Sequence, residues 1–247
     1  MEKAERSREM EYQEKKLKTA GRFTYTASYT KDAGDRLLVL AAGDDHQAEV
    51  EAVLGAFPAA APVILTFAPV EWDTDYAPWP AAGVFREQRD FGGGADDTLR
   101  SILEEGIPAV RKEFALTAEP AKTAILGYSL GGLFAFWSLY RTDAFGLCAT
   151  CSGSLWYPDL DKYCADHEIC VSNARVYFSL GGKEAKTKNP VMSTIEDRTR
   201  ALYTEFQAKP GITSFLEMNP GGHFKDVPQR IAKAAAWLFR EEKAGDR

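Results

Sequence analysis

Gly127-Tyr128-Ser129-Leu130-Gly131 sets a serine between two glycines, with an apolar run at 124–126 before it and another at 133–137 after it. A serine on a tight strand-to-helix turn has its hydroxyl thrust out of the sheet, where it can attack a carbonyl carbon. Glycines two before and two after let the strand and helix backbones pass closely at so strained a turn. Ser129 is therefore the expected nucleophile rather than a helix-capping serine.

A serine hydroxyl is a weak nucleophile until a base takes its proton, so Ser129 calls for a histidine. The chain has three. His46 follows an early apolar strand and His167 stands between Asp166 and Glu168, so both read as surface residues. His223 lies in Asn219-Pro220-Gly221-Gly222-His223-Phe224, between a last strand and a last helix. Open α/β sheets gather their functional groups in such strand-end loops, which makes His223 the expected base. An acid must then hold its other ring nitrogen. Glu184, in the turn Gly181-Gly182-Lys183-Glu184 after a strand over 175–180, falls between serine and histidine in chain order, with Asp197 as the alternative. The acyl transition state also needs N–H donors for its oxyanion. Leu130, directly after the serine, supplies one, and the loop after the strand over 63–67 is expected to supply the second through Trp72.

The elements that must position these groups alternate. Phe23, Tyr25, Ala27 and Tyr29 have strand spacing, and 37–40 and 63–67 are short apolar strands. Val50, Val53, Leu54 and Phe57 fall on one helical face, as do Leu99, Ile102, Leu103, Ile107, Val110 and Phe114, with a bend expected at Pro108. Strands over 147–152 and 213–218, a helix through Met192, Ile195, Leu202 and Phe206, and a last helix over 227–240 complete the pattern. Such alternation predicts an α/β fold with a mostly parallel central sheet flanked by helices. Residues 1–20 are nearly all charged or polar. Glu11 with Lys15 and Glu14 with Lys18 have the spacing of an exposed helix, so a charged helical arm over 1–20 is expected ahead of one domain over 21–247.

The 247 residues carry a net charge of -6, which argues against a nucleic-acid partner. The longest apolar stretch, 59–70, is broken by Pro62 and Pro69 and falls short of the ~20 residues a membrane span needs. The first residues lack the apolar core of a secretory signal, so a cytoplasmic location is expected. Cys148, Cys151, Cys164 and Cys170 suit reduced, mostly buried thiols. The 148/151 pair falls within a strand, so no metal and no cofactor is expected. A homo-oligomer is compatible with all of this.

Trp72, Tyr76, Trp79 and Phe85 crowd an irregular stretch over 69–95, with Arg86 and Arg89 among them, and Trp156 and Tyr157 follow a later strand. Tyr76, Trp79 and Trp156 are expected to wall an apolar or aromatic substrate pocket. No large helical lid is apparent, which favours a small soluble ester over a lipid.

The Gly-Tyr-Ser-Leu-Gly-Gly segment at 127–132, the Gly-Gly-Lys-Glu turn and the Gly-Gly-His-Phe loop resemble the esterase-D-like putative esterases of the α/β-hydrolase superfamily, which include the enterobactin and salmochelin esterases. The resemblance covers about 35–240. The segment Trp72-Asp73-Thr74-Asp75-Tyr76-Ala77-Pro78 resembles the oxyanion loop of the siderophore esterases, except that Trp72 stands where they usually carry an arginine. The resemblance implies an α/β-hydrolase fold and serine carboxylesterase chemistry on Ser129, His223 and Glu184. A trilactone esterase, a thioesterase or an acyltransferase would use the same groups, and a binding module on this fold is the non-enzymatic alternative.

Overall fold

The computed structural model describes residues 11–85 and 87–241. Its centre is an eight-stranded sheet. The strands are β1 (Gln13–Leu17), β2 (Tyr25–Tyr29), β3 (Leu37–Ala41), β4 (Val63–Phe67), β5 (Thr123–Tyr128), β6 (Leu147–Cys151), β7 (Ala174–Gly181) and β8 (Ile212–Asn219). Their order across the sheet is β1-β2-β4-β3-β5-β6-β7-β8. β2 runs antiparallel to β1 and β4, and every other pairing is parallel.

The two-residue period of the strands feeds two cores. Leu38, Leu40, Leu126 and Ala149 point to one face, where α1 (Gln47–Gly55) and α8 (Val227–Leu238) pack. Leu37, Val39, Ile125 and Cys148 point to the other. That face is covered by residues of α3 (Ala95–Ser101), α4 (Ile107–Phe114), α5 (Leu130–Ser138) and α7 (Ile195–Ala208). A short helix α2 (Trp72–Asp75) lies in the crossover between β4 and α3, and α6 (Leu160–Asp166) in that between β6 and β7. This is the α/β sheet flanked by helices that the alternation predicts.

In the helix expected to bend at Pro108, the irregularity lies just ahead of the proline. A π turn at Ile102–Gly106 joins α3 to α4. Proline lacks the N–H that would continue the i→i−4 ladder, and the wider turn ahead of it absorbs the fault.

The helical arm is corrected. Residues 1–10 lie outside the described residues, and 13–17 form an edge strand paired with β2 from Gln13↔Tyr29 to Leu17↔Tyr25. Charge pairs four apart give a short helix only about 0.2–0.5 kcal/mol each, too little to outlast the ladder bonds that an open sheet edge offers. Of this strand only Leu17 is buried. Its lysines keep the edge soluble and unattractive to other strands.

Candidate active site

Ser129 stands between β5 and α5 with φ 56° and ψ −122°, a conformation that L-residues rarely hold. The fully buried β5 and α5 fix both sides of the turn. The Ser129 N–H donates to the Cys151 carbonyl at 3.1 Å, and its carbonyl accepts from Ser154 at 2.9 Å and Leu133 at 3.1 Å. With its backbone thus engaged, the hydroxyl faces outward. A Cβ on Gly127 would lie 2.1 Å from the Gly131 carbonyl oxygen, and one on Gly131 would lie 2.3 Å from that of Ala41. Only glycine permits so close a crossing.

His223, in the loop between β8 and α8, turns Nε2 to within 3.1 Å of the Ser129 hydroxyl and Nδ1 to within 2.8 Å of Glu184 Oε2. Three side chains from distant parts of the sequence thus form one continuous line. Glu184 sits just past β7 with its side chain 5% exposed, against 25% for His223. Its Oε1 accepts from Ser152 Oγ at 2.5 Å and from the Gly181 N–H at 2.6 Å. Burial, the largest single influence, pushes the Glu184 carboxyl up, but the bonds from His223, Ser152 and Gly181 outweigh it and hold the group below its ordinary 4.5. Chemically, a hydroxyl, an imidazole and an ionised carboxylate in this order can move a proton off the serine and stabilise the resulting imidazolium.

The alternatives fall elsewhere. Asp197 is exposed in the first turn of α7. His167 is exposed and stacks on Tyr163 at 4.1 Å. His46 holds the Gly43 carbonyl through Nδ1 at 2.7 Å, a role its position in the sequence did not announce.

Leu130 opens α5, so its N–H has no acceptor within the helix. The strand over 63–67 does not border the elbow strand, since β3 lies between β4 and β5. The loop beside the elbow is therefore 42–46, running from β3 into α1. There the Ala42 carbonyl accepts from Tyr76 Oη at 3.0 Å. With the Gly43 carbonyl held by His46, both peptides of this turn are fixed in orientation. In a trans peptide the N–H points opposite to the C=O, so the N–H groups of Gly43 and Asp44 face away from these anchors. The ring of Trp72 packs over this turn, 3.9 Å from where a Gly43 Cβ would stand.

The aromatic wall turns inward. Tyr76 is fully buried among Phe67, Trp72 and Phe134, so its expected contact with substrate is corrected to support of the 42–46 turn. Trp156 is 8% exposed and packs against Phe91 and Tyr157. Trp79 is half-buried, with its indole N–H on the Pro158 carbonyl at 3.0 Å. Large rings gain more by packing on one another than by lining water, which is why these did so. Arg89 is exposed, and Arg86 lies outside the described residues. The large apolar side chain left open beside the line of three is Phe224, 89% exposed, with its ring edge-on to His223 at 4.9 Å.

Behind the line stand residues the sequence reading passed over: Tyr128, Ser152, Ser179 and the buried Arg230. A signal for Arg230 existed. It falls on the stripe Val227, Ile231, Ala234, Ala235 and Leu238, where helical spacing calls for an apolar residue.

Cys148 and Cys151 point to opposite faces of β6, into different cores, and so cannot converge on one ion. Burial pushes the Cys151 thiol up to about 12. Among the described residues no cluster of His, Cys, Asp and Glu is arranged to hold a metal, and no helix is long and apolar enough to cross a membrane.

Comparison with known proteins bears on the family and the fold. A family model described as "Putative esterase" matches residues 40–225. An uncharacterized Bacillus subtilis (strain 168) protein, YbbA, is 27% identical over 176 residues, covering 69% of this chain and 70% of that protein. Among solved structures, an IroE-like serine hydrolase from Shewanella oneidensis superposes with TM-score 0.76 at 18% identity, over 93% of this chain and 80% of that one. The siderophore hydrolase EstA from Aspergillus nidulans gives TM-score 0.66 at 17% identity, over 92% and 93%. The enterobactin esterase Fes from Shigella flexneri gives 0.68 at 17%, over 92% of this chain and 58% of that one. At such identities these likenesses speak for the fold.

Proposed function

The chain belongs to the putative esterase family, and from that membership we propose that it is a serine carboxylic-ester hydrolase working through an acyl-enzyme on Ser129. The observation that carries the reading is the pair of contacts on one imidazole, Nε2 to Ser129 at 3.1 Å and Nδ1 to Glu184 at 2.8 Å.

In this reading His223 Nε2 takes the Ser129 proton as Oγ attacks the ester carbonyl, and Glu184 holds Nδ1–H and stabilises the imidazolium. The tetrahedral intermediate's oxyanion accepts from the Leu130 N–H and from the turn at Gly43 and Asp44. Losing one such donor costs roughly 3–4 kcal/mol of transition-state stabilisation. His223 then protonates the departing alkoxide. Water, deprotonated by the same imidazole, attacks the acyl carbon, and Ser129 recovers its proton as the carboxylic acid leaves. The exposed ring of Phe224 offers an apolar contact at the rim, which suits a small ester with an aryl or alkyl part.

Labelling with a fluorophosphonate tests the reading. The parent should gain one covalent adduct and Ser129→Ala none; equal labelling, or none in the parent, would overturn it. His223→Ala should lower p-nitrophenyl acetate turnover by roughly 10⁴–10⁶-fold. Since the solved structures that superpose carry names of siderophore and enterobactin hydrolases, a panel of simple acyl esters and a catecholate trilactone would define the substrate.

A further inference from the structure

We propose that Arg230 is a positioning residue that fastens the segments carrying Ser129, His223 and Glu184 to one another, an inference that rests on the reading of these three as the catalytic groups.

The guanidinium is 2% exposed and sits on α8 directly behind the site. Every one of its donors has a use. Nε bonds Ser179 Oγ at 3.3 Å, and Nη1 bonds Tyr128 Oη at 2.7 Å. Nη2 bonds Ser152 Oγ, and also lies 3.2 Å from Ser179 Oγ. Both Nη atoms stand 3.4 Å from Glu184 Oε1. Arginine presents its donors in a fixed planar fork, so meeting these acceptors fixes their relative positions.

The acceptors belong to different parts of the site. Tyr128 is the residue immediately before the nucleophile, and its hydroxyl donates in turn to the His223 carbonyl. The same group therefore touches the elbow and the loop that carries the base. Ser152 accepts from Arg230 and donates to Glu184 Oε1. Ser179 lies on β7, the strand that delivers Glu184, and also accepts from Asn219 Nδ2 at 3.0 Å at the end of β8.

For the carboxylate the consequence is directional. Oε1 is engaged by Ser152, the Gly181 N–H and both Nη atoms of Arg230, which leaves Oε2 for His223 Nδ1. A carboxylate so saturated on one oxygen cannot rotate without breaking those bonds. The Arg230 charge also balances that of Glu184, which is nearly as buried. An unpaired buried carboxylate would instead take up a proton or move toward water. Loss of Arg230 thus reaches the reaction through Glu184, with no direct contact between the guanidinium and the substrate.

A double-mutant cycle on p-nitrophenyl acetate hydrolysis tests this. Arg230→Met should lower kcat by about 100-fold in the parent with KM within about twofold, but by less than about threefold in a Glu184→Gln background. Arg230→Lys, which keeps the charge and loses the fork, should recover roughly a tenth of parent kcat. Should Arg230→Met fail to fold by circular dichroism, the same cycle is run with Arg230→Lys and Tyr128→Phe, each expected to couple to Glu184→Gln. Equal losses in both backgrounds, or parent-like kcat in folded variants, would overturn the assignment. An unimpaired Glu184→Gln would instead remove the acid from the catalytic reading, and this inference with it.

Discussion

The hydroxyl of Tyr76 donates to the carbonyl of Ala42 at 3.0 Å, tying the end of α2 to the turn after β3 across 34 positions of sequence. Both partners are buried, and the bond holds one peptide of the turn beside the elbow. Tyr76→Phe should lower kcat for ester hydrolysis about 10-fold with little change in KM, because the ring still packs while the turn gains freedom to rotate its N–H groups. Stability should fall by about 1 kcal/mol. Parent-like kcat would show that the 42–46 turn is not aimed by this bond.

Gly127 tests the close crossing at the elbow. Alanine there would press its methyl onto the Gly131 carbonyl, 2.1 Å away, with no flexible side chain to yield. Backbone overlap of this kind costs at least about 1–3 kcal/mol. Thermal melting should show Tm lowered by at least about 2 °C, together with slower fluorophosphonate labelling. An unchanged Tm would mean that the crossing of helix and strand leaves room for a methyl group.

Glu184 predicts the behaviour in acid. Its carboxyl is held below its ordinary 4.5 in the folded state, so the unfolded chain binds the proton more readily. The stability this gives is fully present above about 4.5 and is lost as pH falls through the lower native value. Thermal melts taken downward from about pH 6 should show a steeper loss for the parent than for Glu184→Gln below that point. Parallel curves would mean that other carboxylates carry the acid transition.

Phe224 should matter to substrate and not to folding. Being 89% exposed, it contributes little burial, and Phe224→Ala should change stability by no more than about 0.5 kcal/mol. KM for aryl and longer acyl esters should rise severalfold while acetate esters of small alcohols are little affected. A uniform KM across the panel would take the ring out of the substrate's path.

The elbow was readable because its requirements are local. Gly127, Ser129 and Gly131 are fixed by a turn that extends only a few residues, and apolar runs on both sides declare strand and helix. His223 and Glu184 were readable for a weaker reason: few candidates existed, and each lay at the end of an apolar strand. β1 was not readable, since its charge spacing suits a helix and only the open edge of β2 makes it a strand. That β3 rather than β4 lies beside β5 was not readable, because nothing in linear order says so. The burial of Tyr76 and Trp156 was not readable, because an aromatic residue in a loop has the same letters whether it faces solvent or core.

By itself the sequence determined the alternation that makes an α/β sheet, the strained serine turn, and the identities of the three side chains that meet there. Those depend on residue type and short-range spacing, which a single chain displays openly. The tertiary structure alone decided which turn borders the elbow, which rings are buried, and that Arg230 stands behind Glu184. These are contacts between residues far apart in the chain, chosen by strand order and by the cost of leaving a buried charge unpaired.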